Sequence, residues 1–247
     1  MTTMAEFKIE IAGQVFAVHS LFDSTRDYCR AYLSEKPAGR SITVNREHLQ
    51  FEQNFLRAEA IEEGIRIRTF TDPFLERAAI QRQVADHLIL HDTILLHGSA
   101  VAVDGQGYLF TAKCGTGKST HTRLWRQVFG QRAVMINDDK PFIMLSDGGA
   151  MLCGAPWSGK HGLDTNMIVP LKGICILERG AENRILPITP ADAREMLHKQ
   201  SSPPLDSTLL SVHDTLVEQL LACVPLWRME CNKEPDAAIT AHQVMSI

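Results

Sequence analysis

The densest chemistry in the sequence lies in one stretch, Ala112-Lys113-Cys114-Gly115-Thr116-Gly117-Lys118-Ser119-Thr120. An apolar run, Tyr108-Leu109-Phe110, leads into it. A helical stripe of Leu124, Trp125, Val128 and Phe129 follows it and stops at Gly130. Strand, glycine turn, lysine, hydroxyl and helix in that order make a P-loop, in which backbone N–H groups and a helix N-terminus converge on a phosphate chain. The residues Lys113 to Thr120 are therefore expected to wrap a nucleoside triphosphate. Gly115 and Gly117 let the backbone come close to the phosphate oxygens, Lys118 reaches the β/γ-phosphates, and the Ser119 hydroxyl ligates Mg²⁺. The full pattern has glycine where this chain has Ala112, so the match is G-x-G-K-S behind an imperfect first position.

A second constellation lies downstream. Ala133-Val134-Met135-Ile136 reads as an apolar strand that carries Asn137-Asp138-Asp139 to the same end of a sheet as the loop. Two adjacent carboxylates cannot easily do the same job, so one is expected to hold Mg²⁺ and the other to accept a proton; the residues alone leave the assignment open. Further on, Gly154 to Asn166 is a loop rich in glycine and proline that holds Trp157, Lys160 and His161. Functional side chains concentrate in such loops. The expectation is a mobile cover in which glycines 154, 159 and 162 act as hinges, Trp157 supplies apolar shielding, and Lys160 brings a cation to the transferring phosphate.

Leu96-His97-Gly98-Ser99-Ala100-Val101-Ala102-Val103, Asp104-Gly105, the glycine loop and the Asp138-Asp139 pair together resemble the catalytic domain of HPr kinase/phosphorylase. The same core is similar to the nucleotide-binding half of phosphoenolpyruvate carboxykinase. The resemblance covers about residues 91–180. It implies an α/β fold, a P-loop kinase core with a mixed sheet, with ATP and Mg²⁺ as cofactors. It further implies Asp138 as the base, Asp139 with Ser119 as the metal ligands, and His97 as a catalytic residue close to the phosphates and the acidic pair. One departure stands out: nothing in 154–166 supplies the glutamate of the acidic signature that HPr kinase carries in that region, so its acceptor does not carry over. The leading expectation is an ATP-dependent kinase acting on a hydroxyl of a protein, peptide or small molecule. The alternatives are a regulatory module that binds nucleotide without transfer, and a carboxykinase-like enzyme, although carboxykinases are about twice as long.

The elements that must hold these residues are legible by period. Phe7 to Ile11 and Val15 to Val18 alternate as a hairpin around Gly13-Gln14, a short helix is expected over Arg26 to Leu33, and Ser41 to Val44 reads as a strand. A polar helical stretch runs from Asn45 to Glu63. Another helix begins with Asp72 as N-cap and Pro73 at its first position. Val101 to Val103 should pair through Asp104-Gly105 with the strand entering the loop, and Pro141 to Leu145 should pair with Ala150 to Cys153. Leu171 to Glu178 is a strongly apolar strand. Thr189, with Asp192 three residues on, caps a helix, and Leu209, Val212, Leu216, Val217 and Leu220 stripe the next. The domain reading is a small α+β accessory region over residues 1–90 and the catalytic domain over 91–247.

Composition bounds the partners. The chain has 247 residues, 45% of them hydrophobic, and a formal net charge of −4. That balance offers no electrostatic footprint for nucleic acid or an anionic membrane. The six cysteines form no C-x-x-C pair and no zinc-spaced cluster, so they read as reduced thiols in the cytoplasm. Neither a signal-like start nor a membrane-spanning run is expected, a homo-oligomer is left open, and no sequence feature identifies the acceptor.

Overall fold

A computed structural model describes residues 5–62, 64 and 66–247. The chain divides into two units, one ending at His87 and one running from Leu88 to Ile247.

The first unit opens with the expected hairpin, β1 (Ala5–Ile11) and β2 (Gln14–Ser20), antiparallel. Its turn residues, Ala12 and Gly13, have φ of 48° and 77°, the left-handed pair that a tight hairpin needs. Phe7, Ile9, Ile11, Phe16 and Val18 face inward in the period-2 pattern. The helix expected over Arg26 to Leu33 lies earlier and is broken: α1 (Asp23–Tyr28) is followed by a 3₁₀ turn over Arg30–Tyr32. β3 (Arg40–Thr43) then pairs parallel to β2. Next come α2 (Arg46–Glu62) and α3 (Asp72–Ile89). The expected end of the first of these, Glu63, lies outside the described residues. α3 begins one residue before the expected position, because the Thr71 carbonyl already accepts from the N–H groups of Phe74 and Leu75. Two buried carboxylates tie this unit together. Glu52 is held in a two-point pair with Arg82 at 2.7 and 2.9 Å, and Glu76 accepts from the Leu21 N–H and the Thr25 hydroxyl. Burial raises the Glu76 carboxyl above the ordinary range.

The second unit is α/β. In chain order it contains β4 (Thr93–Leu95), β5 (Ser99–Val103), β6 (Gln106–Thr111), α4 (Lys118–Phe129), β7 (Ala133–Asn137), β8 (Phe142–Ser146), β9 (Gly149–Cys153) and β10 (Ile168–Arg179). β11 (Arg184–Pro187), α5 (Pro190–Gln200), α6 (Leu210–Cys223), β12 (Leu226–Cys231) and α7 (Asp236–Met245) complete it. The mixed sheet has nine strands in the order β4-β8-β9-β10-β6-β5-β7, with β12 on β10 and β11 on β12. β10 is the spine. Its first residues pair with β9, its last six pair parallel to β12, and β6 lies parallel along its other edge with a register shift between Leu171 and Gly173.

The strands are buried on both faces, which is why they read as continuous apolar runs. Ala100, Leu109, Ile136, Ile174 and Ile176 point to one face, under Leu197 of α5 and Leu216, Val217 and Leu220 of α6. Val101, Phe110, Met135, Cys175 and Leu177 point to the other, under Leu124 and Trp125 of α4 and Ala238 and Ala241 of α7. α5 starts with the expected capping box, Thr189 and Asp192 bonding each other's backbone N–H. On α6 the stripe is shifted at one position: Val212 is exposed, and the buried place beside it belongs to His213. Among the described residues no helix is long and apolar enough to cross a membrane.

Candidate functional site

The β5–β6 hairpin turns through Asp104 and Gly105, with φ of 51° and 78°, and delivers β6 to the glycine loop. Gly115 and Gly117 have φ of 75° and 129°, a backbone that only glycine adopts without strain. A Cβ at Gly115 would meet no heavy atom within 4 Å, so its requirement is conformational, not steric. Gly117 caps α4, and Lys118 is the first residue of that helix. The Lys118 ammonium folds back to the Ala112 carbonyl at 3.2 Å. On the outside of the loop, the Arg179 guanidinium at the end of β10 donates to the Gly115 carbonyl at 2.6 Å and the Thr116 carbonyl at 3.4 Å.

β7 brings in the acidic pair. Asn137 organises it: the side-chain carbonyl accepts from the N–H groups of Asp139 (2.8 Å) and Lys140 (2.6 Å), and the amide donates to the Ala155 carbonyl (2.7 Å). The two aspartates live in different environments. Asp138 is buried; its Oδ1 accepts the Gly159 N–H at 2.5 Å, and its Oδ2 is buried with no partner. Burial raises its carboxyl above the ordinary value, against the lowering effect of that N–H. Asp139 is 38% exposed and sits 3.3 Å from His97 Nε2. Burial pushes its carboxyl up, but the His97 hydrogen bond and the charges of His97, Lys140 and Lys118 outweigh that and hold it low. His97 is locked in turn: its N–H donates to the Gln200 carbonyl and its carbonyl accepts the Thr111 hydroxyl. Gly98 follows because a Cβ there would come within 2.8 Å of Leu109.

The glycine loop, the start of α4, His97 and the two aspartates border one cleft of about 460 Å³, together with Arg123 and Arg126 of α4 and Lys160 and His161. Of the residues singled out by sequence, Gly115, Gly117, Lys118, Ser119, Thr120, His97, Asp138, Asp139 and Lys160 all line it. Lys113 and Cys114 are exposed and do not, while Thr116 borders a smaller hollow beside Arg179. The cleft combines a cationic, N–H-rich end with hard oxygen donors from Ser119 and Asp139, a donor set suited to a phosphate chain and a Mg²⁺ ion.

The loop 154–166 differs from its expected form. Trp157 is 5% exposed, packs edge-on to Phe142 at 6.3 Å, and is not a cleft residue. The backbone is pinned to the end of β7, where Thr165 N–H donates to the Ile136 carbonyl and Asp138 N–H to the Leu163 carbonyl, and Gly154 N–H donates to the Met167 carbonyl to join the loop's two ends. Gly154 and Gly159 serve close approach instead of hinging. A Cβ at Gly154 would lie 1.9 Å from the Thr165 carbonyl oxygen, and one at Gly159 would lie 3.3 Å from both Asp138 oxygens. Only Gly162, with φ of 60°, uses glycine's backbone freedom.

Sequence reading missed four contributors. Asn137 had a signal, an Asn directly before two carboxylates at a strand end, where Asx turns form. Arg123 and Arg126 had one too, since they follow Ser119 at helical spacing. Arg179 had none, because its partners are carbonyls more than sixty residues away.

No protein family matches the chain, and no curated protein matches it. Among solved structures it is similar to the Hpr(Ser) kinase/phosphatase from Coxiella burnetii, at 10% sequence identity and a TM-score of 0.37. The match covers 62% of this chain and 88% of that one, and the relationship is a distant structural one.

Proposed function

We propose that the second unit is an ATP-dependent kinase of the HPr kinase-like kind, moving the γ-phosphate of ATP to a hydroxyl. One observation carries the reading: next to a glycine loop with its lysine, two adjacent carboxyls sit in different surroundings, Asp138 buried and half-partnered with its carboxyl raised, Asp139 half-exposed against His97 with its carboxyl lowered. Transfer to an alcohol can use that division, one carboxylate to take a proton and one to stay anionic beside a metal.

Loop N–H groups and Lys118 bind the triphosphate. The Ser119 hydroxyl and the Asp139 carboxylate hold Mg²⁺. Mg²⁺ ordinarily takes one or two protein oxygens and fills its remaining positions with phosphate and water. Among the described residues no group of three or more His, Cys, Asp or Glu could form a protein-built cage. Bound there, the ion supplies neutralisation of the charge on the transferring group. His97 orients Asp139. Asp138 takes the acceptor's proton as the hydroxyl oxygen bonds to the γ-phosphorus, and the bond from that phosphorus to the β–γ bridging oxygen breaks with its electron pair leaving on ADP. Lys160, which lines the same cleft, stabilises the equatorial oxygens. The acceptor is a hydroxyl of a protein serine, a peptide or a small molecule.

The test is γ-labelled ATP and Mg²⁺ with purified protein, offered separately to the protein and small-molecule fractions of a source-cell extract. Label should pass to an acceptor in one fraction, stop with chelator, and stop in Lys118→Ala while that variant melts as the wild type does. ATP binding without transfer in either fraction, or undiminished transfer in Lys118→Ala, overturns the reading.

A further inference from the structure

The cleft holds more positive charge than a triphosphate site needs. Arg123 and Arg126 follow Ser119 by four and seven residues, so the three share a face of α4, and all three line the cleft. At about 1.5 Å per residue they stand roughly 6 and 10 Å further along the helix than Ser119, away from the N-terminal N–H groups. Lys160 and His161 face the same space. The arginines of this unit that form ion pairs are Arg132, Arg194 and Arg228. Arg123, Arg126 and Lys160 join no ion pair with any described carboxylate.

Solvated arginines on a helix are ordinary, and two of them on an outer face would need no explanation. Several features separate this pair from that case. Both arginines lie in a concavity, not on a convex surface, and both are exposed. Lys160 lines the same cleft and adds a further cation to it, whereas surfaces usually intersperse the two signs. Each carboxylate in the cleft has a partner at one oxygen, Asp138 Oδ1 with the Gly159 N–H and Asp139 Oδ1 with His97, and neither is paired with these arginines. Met135 and Leu163 add apolar lining. Small-molecule sites have this form, an apolar wall with a few convergent charges that fix orientation. A guanidinium presents a planar fork that matches a carboxylate or a phosphate in two-point fashion.

We infer that Arg123 and Arg126 form an anion subsite for the acceptor: the hydroxyl compound phosphorylated here is a small molecule with a carboxylate or phosphate of its own. The inference rests on the kinase reading above and narrows its acceptor. The anionic group is bound and unchanged in the reaction; it swings the hydroxyl toward Asp138 and the γ-phosphorus, and a neutral alcohol lacks that handle.

The experiment fills the nucleotide site first. Protein saturated with Mg²⁺ and the non-hydrolysable ATP analogue AMPPNP is titrated at low ionic strength with inorganic phosphate and, in a second arm, with glycerate, binding being read by calorimetry. Wild-type protein should bind at least one of them saturably. Affinity should fall at least tenfold in the double variant R123Q/R126Q, and R123K/R126K, which keeps the charges but loses the forks, should fall between. The preferred arm assigns the acceptor's anion as phosphate or carboxylate. Absence of second-site binding in both arms, or equal binding to the glutamine variant, overturns the inference while leaving the kinase reading standing. A loss of more than tenfold in Mg-AMPPNP affinity in R123Q/R126Q assigns the arginines to the donor and also overturns it. Failure of the wild type to bind Mg-AMPPNP at all removes the kinase reading, and this inference with it.

Discussion

The two glycine-bearing loops that border the cleft look alike in composition and differ in what glycine does for them. In the loop before α4, Gly115 and Gly117 supply positive φ in open surroundings, so backbone shape is the requirement. In the loop after β9, Gly154 and Gly159 have no positive φ and are crowded instead, by the Thr165 carbonyl and by the Asp138 carboxylate. One loop is shaped from within by its dihedrals, and the other is pressed against β7 by hydrogen bonds. A glycine-rich segment is therefore not mobile by default; what surrounds each missing Cβ decides.

The largest effect is expected at Gly154. A methyl group 1.9 Å from a carbonyl oxygen cannot be accommodated without moving the loop off β7, so Gly154→Ala should cost more than about 3 kcal/mol, the upper end of ordinary overpacking. Thermal or urea unfolding checks this, and a melt like the wild type's would break the contrast at once.

Acid sharpens it from the other side. The first loop rests on α4, whose buried face holds His121 against Phe110, with Nε2 accepting from Trp125 at 3.1 Å and Nδ1 unpartnered. Burial lowers its pKa to about 4, so it is neutral in the fold. The unfolded chain binds this proton more readily. The stabilisation is therefore complete above the ordinary histidine value near 6.5 and is lost as pH falls through the window down to about 4, with a ceiling of about 3 kcal/mol. His213, also lowered chiefly by burial, adds with the same sign. Stability measured from pH 7 to 4 should fall over this window and fall less steeply in His121→Gln; a flat wild-type profile would refute the assignment.

Next in size is the pair of aspartates that the second loop helps to position. Asp138→Asn should reduce kcat about a hundredfold with nucleotide affinity nearly retained, whereas Asp139→Asn should raise the Mg²⁺ requirement. Identical Mg²⁺ profiles for the two variants would erase the distinction that Gly159 and His97 impose. The smallest effect belongs to Gly115→Ala, which strains one left-handed residue in open space at about 1–2 kcal/mol. Were it to equal Gly154→Ala, both loops would be using glycine for the same purpose.

What could be read in advance follows the range of the interaction. Hairpin turns such as Asp104-Gly105, the Thr189–Asp192 capping box and the strand-to-helix passage through Gly117 depend on neighbours in the chain, and their residues announced them. The joining of β7, His97 and the glycine loop at one sheet end could be anticipated from apolar runs that stop at polar residues. The pinning of 154–166 could not, because backbone groups make it and any sequence has those. Trp157 misled for a related reason: tryptophan in a polar loop suits a cover or a core equally, and only Phe142 decides.

β10 has a consequence for synthesis. Its two parallel neighbours come from far apart in the chain, with about 120 residues between the end of β6 at Thr111 and the end of β12 at Cys231. At 5–20 residues per second a ribosome needs roughly 6–24 s to cover that distance. Within that interval the edge of β6 has no parallel partner until β10 emerges, and the edge of β10 has none until β12 emerges, the state most exposed to aggregation. Yield of this chain in a cell should therefore depend on chaperone supply more than on the stability of the finished fold.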